Sequence, residues 1–198
     1  MCIRDSLSIA ALVAALAWKI SEDRAPQTQV TRLSLYEGLN RQLNEIGRIE
    51  VRSLTDESVL VRDGETWELE SRDGYPAAFT KIKRTILQIA DLAIVEAKTS
   101  LSENYQRIGV QDPEIDAATG TLVSLATNTG DEIASLIVGN ENNTGSEKQY
   151  FVRKKGDAQS WLVSGDLDFS AKPLEWVDIC LLYTSPSPRD ATLSGLPS

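Results

Sequence analysis

The order of strand-like and helix-like runs is the feature that most constrains this fold. Alternating apolar and polar residues come in pairs separated by turn residues, as at Asp63-Gly64 between 59–62 and 66–70. Asp-Gly permits the positive φ angles of a tight hairpin. Two further pairs, 121–138 and 149–164, fill the last third of the chain. Because strands and helices do not alternate strictly, a doubly wound parallel sheet is disfavoured and antiparallel pairing is expected.

Two stretches carry apolar residues at helical spacing. The first is Leu35–Ile46, which we expect to be a short amphipathic helix ended by Gly47. The second begins at Pro76, which suits a first helical turn, and its apolar stripe comprises Phe79, Ile82, Ile86, Ile89 and Ala93. The predicted fold class is therefore α+β: mainly antiparallel β-hairpins packed with one long amphipathic helix and short helices, after an N-terminal membrane helix.

The two ends of the chain can be read as two translations of one inverted DNA repeat. Met1–Ser6 can be encoded by ATGTGTATAAGAGACAG plus one base, and the reverse complement of that string, read in another frame, encodes Cys180–Thr184. The repeat resembles the transposon end used to prepare sequencing libraries. We therefore predict that residues 1–6 and 180–198 are translated adapter DNA, to be set aside before the fold is considered.

An apolar, uncharged stretch, Leu7–Trp18, follows the first of these segments. It is shorter than the roughly 20 residues of a membrane span, but its start adjoins the suspect junction. A truncated membrane anchor, the apolar core of a signal peptide and a buried soluble helix all remain open. The predicted organisation is an anchor or signal segment at 7–20, a linker at 21–32 and an extracytoplasmic α+β domain at 33–179.

Composition excludes several classes of function. The net charge of −9 gives no support to a nucleic-acid binder, which needs a basic face to neutralise phosphates. The chain has no His, which rules out Ser-His-Asp and Cys-His catalysis within it. Both cysteines, Cys2 and Cys180, lie in the suspect ends, so the native part offers no thiol, disulfide or zinc site. We accordingly assign no catalytic, cofactor-binding or metal residues, and we expect no cofactor.

Four local patterns admit a functional interpretation beside a plainer one. Trp67, Trp161 and Trp176 suit a ligand platform or core filling, and Gly74-Tyr75-Pro76 a cleft wall or a helix entry. Arg153, Lys154 and Lys155 suit a contact to lipid headgroups or an acidic partner, or a solvated hairpin tip. Asp166, Asp168, Glu175 and Asp178 suit a calcium site or a solvated acidic segment. The plainer interpretation is favoured each time, as it is for the sequon Asn142-Asn143-Thr144, a surface loop.

Six segments in this order resemble the domain of unknown function family 4340. They are LYEGLNRQLNEI (35–46), ETWELESRDGYPA (65–77), KTSLSENYQRIGVQDP (98–113), LIVGN (136–140), QYFVRKKGDAQSWLV (149–163) and PLEWVD (173–178). The resemblance implies an N-terminal membrane helix, an extracytoplasmic part and genes beside ABC-type transporters of the gliding-motility or auxiliary-export kind. It implies no active-site residues, because the family has no agreed ones.

The function expected from the sequence is a non-enzymatic, membrane-anchored accessory domain of an ABC-type transport system. It would sit in the bacterial inner membrane by a single pass, with the soluble domain in the periplasm, and contact the permease or an envelope partner. The alternative is an extracytoplasmic small-ligand or glycan-binding module. A carboxylate-based hydrolase is a third hypothesis, for which the scattered acidic residues single out no pair.

Overall fold

A single antiparallel sheet of nine strands dominates the structure, a computed structural model that describes residues 33–144 and 147–177. The strand order is β4-β3-β2-β1-β6-β7-β8-β9-β5. The bounds are β1 Ile46–Arg52, β2 Glu57–Asp63, β3 Thr66–Leu69, β4 Tyr75–Pro76, β5 Ala93–Ala97, β6 Thr121–Thr127, β7 Glu132–Asn142, β8 Gln149–Lys154 and β9 Ser160–Ser164. The hairpins predicted around 63–64, 128–130 and 154–157 are confirmed as β2–β3, β6–β7 and β8–β9.

The helices are short, and the predicted fold class is wrong for that reason. They are α1 Leu39–Gln42, α2 Phe79–Ala90 and α3 Tyr105–Ile108, with 3-10 turns at Leu43–Glu45, Glu70–Arg72, Ser102–Asn104 and Pro173–Trp176. The longest helix in the described ranges has 12 residues. The hairpins do not surround a long helix; they join edge to edge, because β1 pairs with β6 and β9 pairs with β5.

The helix predicted over Leu35–Ile46 is reduced to α1 and one 3-10 turn. Gly38 precedes α1 with φ of +85°, a left-handed conformation that an α-helix does not allow. Leu35 and Leu39 are buried as their spacing predicts, but Ile46 already begins β1. Gly47, expected to end the helix, lies inside β1. A Cβ there would come within 2.8 Å of the backbone nitrogen of Asn128.

The helix predicted to begin at Pro76 begins three residues later, at Phe79. Tyr75 and Pro76 instead pair with β3 as the edge strand β4. Proline is tolerated at a sheet edge because an edge strand has backbone positions that donate to no neighbour. The last residue of the predicted stripe, Ala93, lies beyond the helix, in β5.

The core has two parts, one on each face of the sheet. Alternate residues of a strand point to opposite faces, and the two neighbours Leu122 and Val123 accordingly belong to different clusters. The large cluster contains Val123 and the inner face of α2. The small cluster contains Leu122 and is covered by α3. The helix α2 therefore packs on the face of the sheet that carries the large cluster. The groove described below lies on that same face.

Some predictions concern residues outside the described ranges. The adapter segments 1–6 and 180–198, the anchor at 7–20, the linker at 21–32, both cysteines and Asp178 all lie there, and those expectations stay predictions. Among residues 33–144 and 147–177, no helix combines the length and the apolar character needed to cross a bilayer.

Candidate functional site

A groove of about 280 Å³ runs beside α2, and we call it the α2 groove. The 3-10 turn after α1, the start of β1, the strands β2 and β3 and one side of α2 surround it. Its ten lining residues are Leu43, Asn44, Ile46, Arg62, Trp67, Phe79, Ile82, Lys83, Ile86 and Leu87. The floor of the groove is apolar and is formed by the buried residues Ile46, Trp67, Ile82 and Ile86.

One flank of α2 is sealed by the chain that follows β9. Thr85 Oγ1 donates to the carbonyl of Asp168 at 2.7 Å, and Gln88 Oε1 accepts from the Asp168 amide at 2.9 Å. Lys81 Nζ donates to the carbonyl of Glu175 at 3.1 Å and lies 5.0 Å from the ring centre of the buried Trp176. These contacts cover this flank of α2 with residues of the same chain.

The other flank of α2 borders the groove and is open. Phe79, Lys83 and Leu87 follow one another at intervals of four residues and therefore lie on one side of the helix. Phe79 is 55% exposed and Leu87 is 39% exposed. Two exposed apolar side chains beside an apolar groove form a larger patch than an isolated surface residue does, and such patches mark interaction sites.

The rim of the groove is basic. Arg62 Nε donates to the carbonyl of Gly64 at 2.9 Å, and its Nη1 lies 3.4 Å from the carbonyl of Asn44, which holds the guanidinium at the groove. Lys83 is exposed and makes no ion pair with any described residue. None of the described residues that line the groove is acidic, although the whole chain carries a net charge of −9. The local charge is therefore opposite to the overall charge.

The basic run Arg153–Lys155 does not form a solvated tip. The Arg153 side chain is 5% exposed: Nη2 binds the Asp112 carboxylate at 2.8 Å, Nε donates to the Val110 carbonyl at 3.1 Å, and the guanidinium lies 4.7 Å from the ring centre of Tyr105. Of the three cations Arg153, Lys154 and Lys155, only Lys155 is exposed. The expected contact with lipid or an acidic partner thus has no cluster of three accessible cations to act through.

Lys154 leads from this run to a second aromatic ring. Its Nζ lies 4.8 Å from the ring centre of Tyr36, whose hydroxyl donates to the carbonyl of Ser135 at 2.6 Å. Burial raises the pKa of the Tyr36 hydroxyl well above its ordinary value. Tyr36 therefore ties the segment before α1 to β7 as a neutral phenol.

The acidic segment is neutralised by partners that lie apart from one another. Asp166 pairs with Lys148 at 3.1 Å, and Asp168 lies 3.4 Å from Arg84. Within the described residues no group of three or more His, Cys, Asp or Glu side chains is placed to hold a metal ion. Asp178 lies outside those residues.

Two other cavities are more polar and more open. One, of about 410 Å³, lies at β5 and β9 and includes the Lys148–Asp166 pair; the other, of about 610 Å³, lies between β5 and α3. Both lack the apolar floor of the α2 groove. The sequon residue Thr144 donates to the Asn142 side chain just past β7, at the surface.

The sequence predicted the burial of the tryptophans but not the exposure of Phe79. Trp67 and Trp176 fill the core, as the plainer interpretation predicted, and Trp161 packs against it. Trp67 also reaches the groove floor. The apolar spacing predicts that Phe79 is buried with the rest of the helix stripe, but the structure leaves it 55% exposed. The signal for this exposure is its position in the first helical turn, beyond the elements that pack against the helix.

The fold and the groove define a class first: a single-sheet domain with an open apolar groove beside one helix flank. The family model described as "Domain of unknown function (DUF4340)" matches residues 67–194. This match covers more than half of the chain, and the chain belongs to that family. The matched range runs past Ile179 into residues predicted to be adapter-derived. No curated protein and no solved structure matches the chain.

Proposed function

We propose that this chain is a membrane-anchored, extracytoplasmic accessory domain of an ABC-type transport system and acts by binding a partner in the bacterial envelope. The observation that carries the binding role is the asymmetry of α2. One flank is sealed by the chain's own residues, whereas Phe79 and Leu87 leave the other open beside an apolar groove. Covering apolar surface of this kind with a partner lowers the free energy, because the surface is removed from water.

The location and the transport link have a different basis. The apolar stretch Leu7–Trp18 supports an anchor in the inner membrane with the described domain in the periplasm. The transport link rests on the resemblance to a family whose genes often accompany ABC-type permeases. Residues that bind, rather than react, suffice for this role, so the proposal names no catalytic group.

Co-purification tests this function. The chain is expressed together with the permease and ATPase genes that the family resemblance predicts at its source locus, and the tagged permease is isolated from membranes in mild detergent. We expect the wild-type chain to remain bound to the permease and the Phe79→Ala variant to be depleted from it. Leu101→Ala is the matched control, since Leu101 is 57% exposed and lies outside the groove. A permease isolated without the wild-type chain would count against the proposal.

A small-ligand module is the second candidate, and one observation favours it. The groove volume of about 280 Å³ approaches the lower end of ligand pockets, roughly 300 Å³. A thermal-shift screen with envelope metabolites and glycans separates the two candidates. A ligand module gains stability with its ligand, whereas a domain that binds only macromolecules shows no shift with any of these compounds.

A further inference from the structure

We infer that the α2 groove binds an amphipathic helix of a partner protein that carries carboxylates beside its apolar face. This deepens the proposed function and rests on it only for the partner's location. The geometry suits a helix because the open flank, from Phe79 to Leu87, extends over two helical turns, about 12 Å along the axis. A helix laid into such a groove covers apolar side chains at matching intervals.

The exposed apolar residues favour a macromolecule over a compound held within the cavity. Phe79 lies on the rim with 55% of its surface exposed. A small molecule on the floor, against Trp67 and Ile82, leaves that surface wet. A helix placed along the groove covers the floor and the rim together. Aromatic side chains that a partner covers completely often carry a large share of binding energy.

The charges select the sign of the partner. Arg62 and Lys83 border the groove, and its lining in the described part of the chain contains no carboxylate. The other cations of α2 already have partners: Arg84 lies 3.4 Å from Asp168, and Lys81 lies 3.9 Å from Glu175. Lys83 is thus the helix cation whose position at the open flank suits a carboxylate from outside. A partner with lysines there would meet like charges, which is unfavourable.

The overall charge makes the inference easy to separate from non-specific attraction. With a net charge of −9, the chain as a whole attracts cationic peptides and repels anionic ones. The groove predicts the reverse order. A preference for the anionic peptide therefore cannot arise from the overall charge.

The test uses two designed peptides of about 16 residues, long enough to form a helix on binding. Both carry the same leucine stripe; one has glutamates and the other lysines on the positions flanking it. Binding to the full chain is measured by fluorescence anisotropy at low salt. We expect the glutamate peptide to bind about tenfold more tightly, since two ion pairs contribute about threefold each.

Variants locate the binding. Lys83→Glu should abolish the preference for the glutamate peptide, and Phe79→Ala should weaken binding of that peptide by about tenfold or more. Lys155→Glu makes the same charge change at an exposed turn outside the groove and should leave the order of the peptides intact. Circular dichroism of each variant confirms that it is folded.

Several outcomes would overturn the inference: equal or tighter binding of the lysine peptide, binding of neither peptide, or a preference that survives Lys83→Glu. The outcomes also stay distinct from those for the proposed function. If the permease retains Phe79→Ala and Lys83→Glu as well as the wild-type chain, the accessory role stands and the groove inference fails. If the peptide preference holds while the permease retains nothing, the groove chemistry stands without the transport role.

Discussion

Replacing Arg153 with methionine should lower the free energy of unfolding by about 3 kcal/mol. The substitution keeps an unbranched apolar stem and removes the guanidinium with all of its donors. Arg153 is the one charged residue that is buried within residues 33–144 and 147–177. Its guanidinium binds the Val110 carbonyl, the Asp157 carbonyl and the Asp112 carboxylate. Removing one member of a buried ion pair usually costs about 3–5 kcal/mol.

The structure places Arg153→Met at the lower end of that range. Val110 is fully buried, so its carbonyl loses its Arg153 partner at a cost of about 1–3 kcal/mol. The Asp112 side chain is 42% exposed, so water can hydrate its carboxylate when Arg153 is removed. The loss of this ion pair therefore contributes less. The lost contact with the Tyr105 ring adds about 0.5–1 kcal/mol.

Urea denaturation followed by tryptophan fluorescence measures the change, because Trp176 is fully buried. The matched control is Lys155→Met, at an exposed position two residues away, which should change stability by less than about 0.5 kcal/mol. Arg153→Lys should resemble Arg153→Met, since an ammonium cannot reach three separate acceptors. A loss below about 1 kcal/mol for Arg153→Met would refute the reasoning and return Arg153 to the surface role suggested by the sequence.

Three further perturbations test other parts of the structure. Trp176→Ala should cost about 3–5 kcal/mol in urea denaturation, because a fully buried ring and its 2.7 Å hydrogen bond to Ser170 are lost; a cost near zero would contradict its core position. Tyr36 has a raised pKa in the folded state, so its contribution to stability is complete below its ordinary pKa of about 10 and declines as pH rises above it. Tyr36→Phe should therefore flatten the loss of stability above pH 10, and an unchanged slope would disprove this. Gly47→Ala should lower the melting temperature through a cost of about 1–3 kcal/mol, because the added Cβ meets Asn128; an unchanged melting temperature would show that this approach is not tight.

The proposed binding role has a physical consequence for stability. Phe79 is more than half exposed, so Phe79→Ala removes little buried area and should leave the free energy of unfolding nearly unchanged. Trp67 lies on the groove floor and is 4% exposed, so its replacement would disturb core and groove together. The rim residues are accordingly the informative positions for binding experiments.

Hairpins were predictable because they depend on neighbours in the sequence. Asp63-Gly64 and the alternating residues on either side specify a turn and two paired strands without reference to the rest of the chain. Burial of Ile82, Ile86 and Ile89 was predictable for the same reason, since helical spacing places them on one face. Family membership likewise followed from the order of short segments along the chain.

The join between hairpins depends on contacts far apart in the sequence. Nothing within Ile46–Arg52 shows that this strand pairs with Thr121–Thr127, and nothing near Ala93 shows that it pairs with Ser164. These long-range pairs turn separate hairpins into one sheet and make the predicted α+β arrangement wrong. The helix lengths were overestimated because apolar spacing persists where Gly38 and the β4 pairing end the helical backbone.

In the candidate site, too, local features were predictable from the sequence and long-range contacts were not. The sequence by itself determined that Phe79 lies on the apolar side of a helix and that Arg153 is a cation near a hairpin. Only the tertiary structure decided that Phe79 projects from the core at an open groove while Arg153 is buried against Asp112. The physical reason is that periodicity fixes the direction of a side chain within its own element, whereas burial depends on which other elements pack against it.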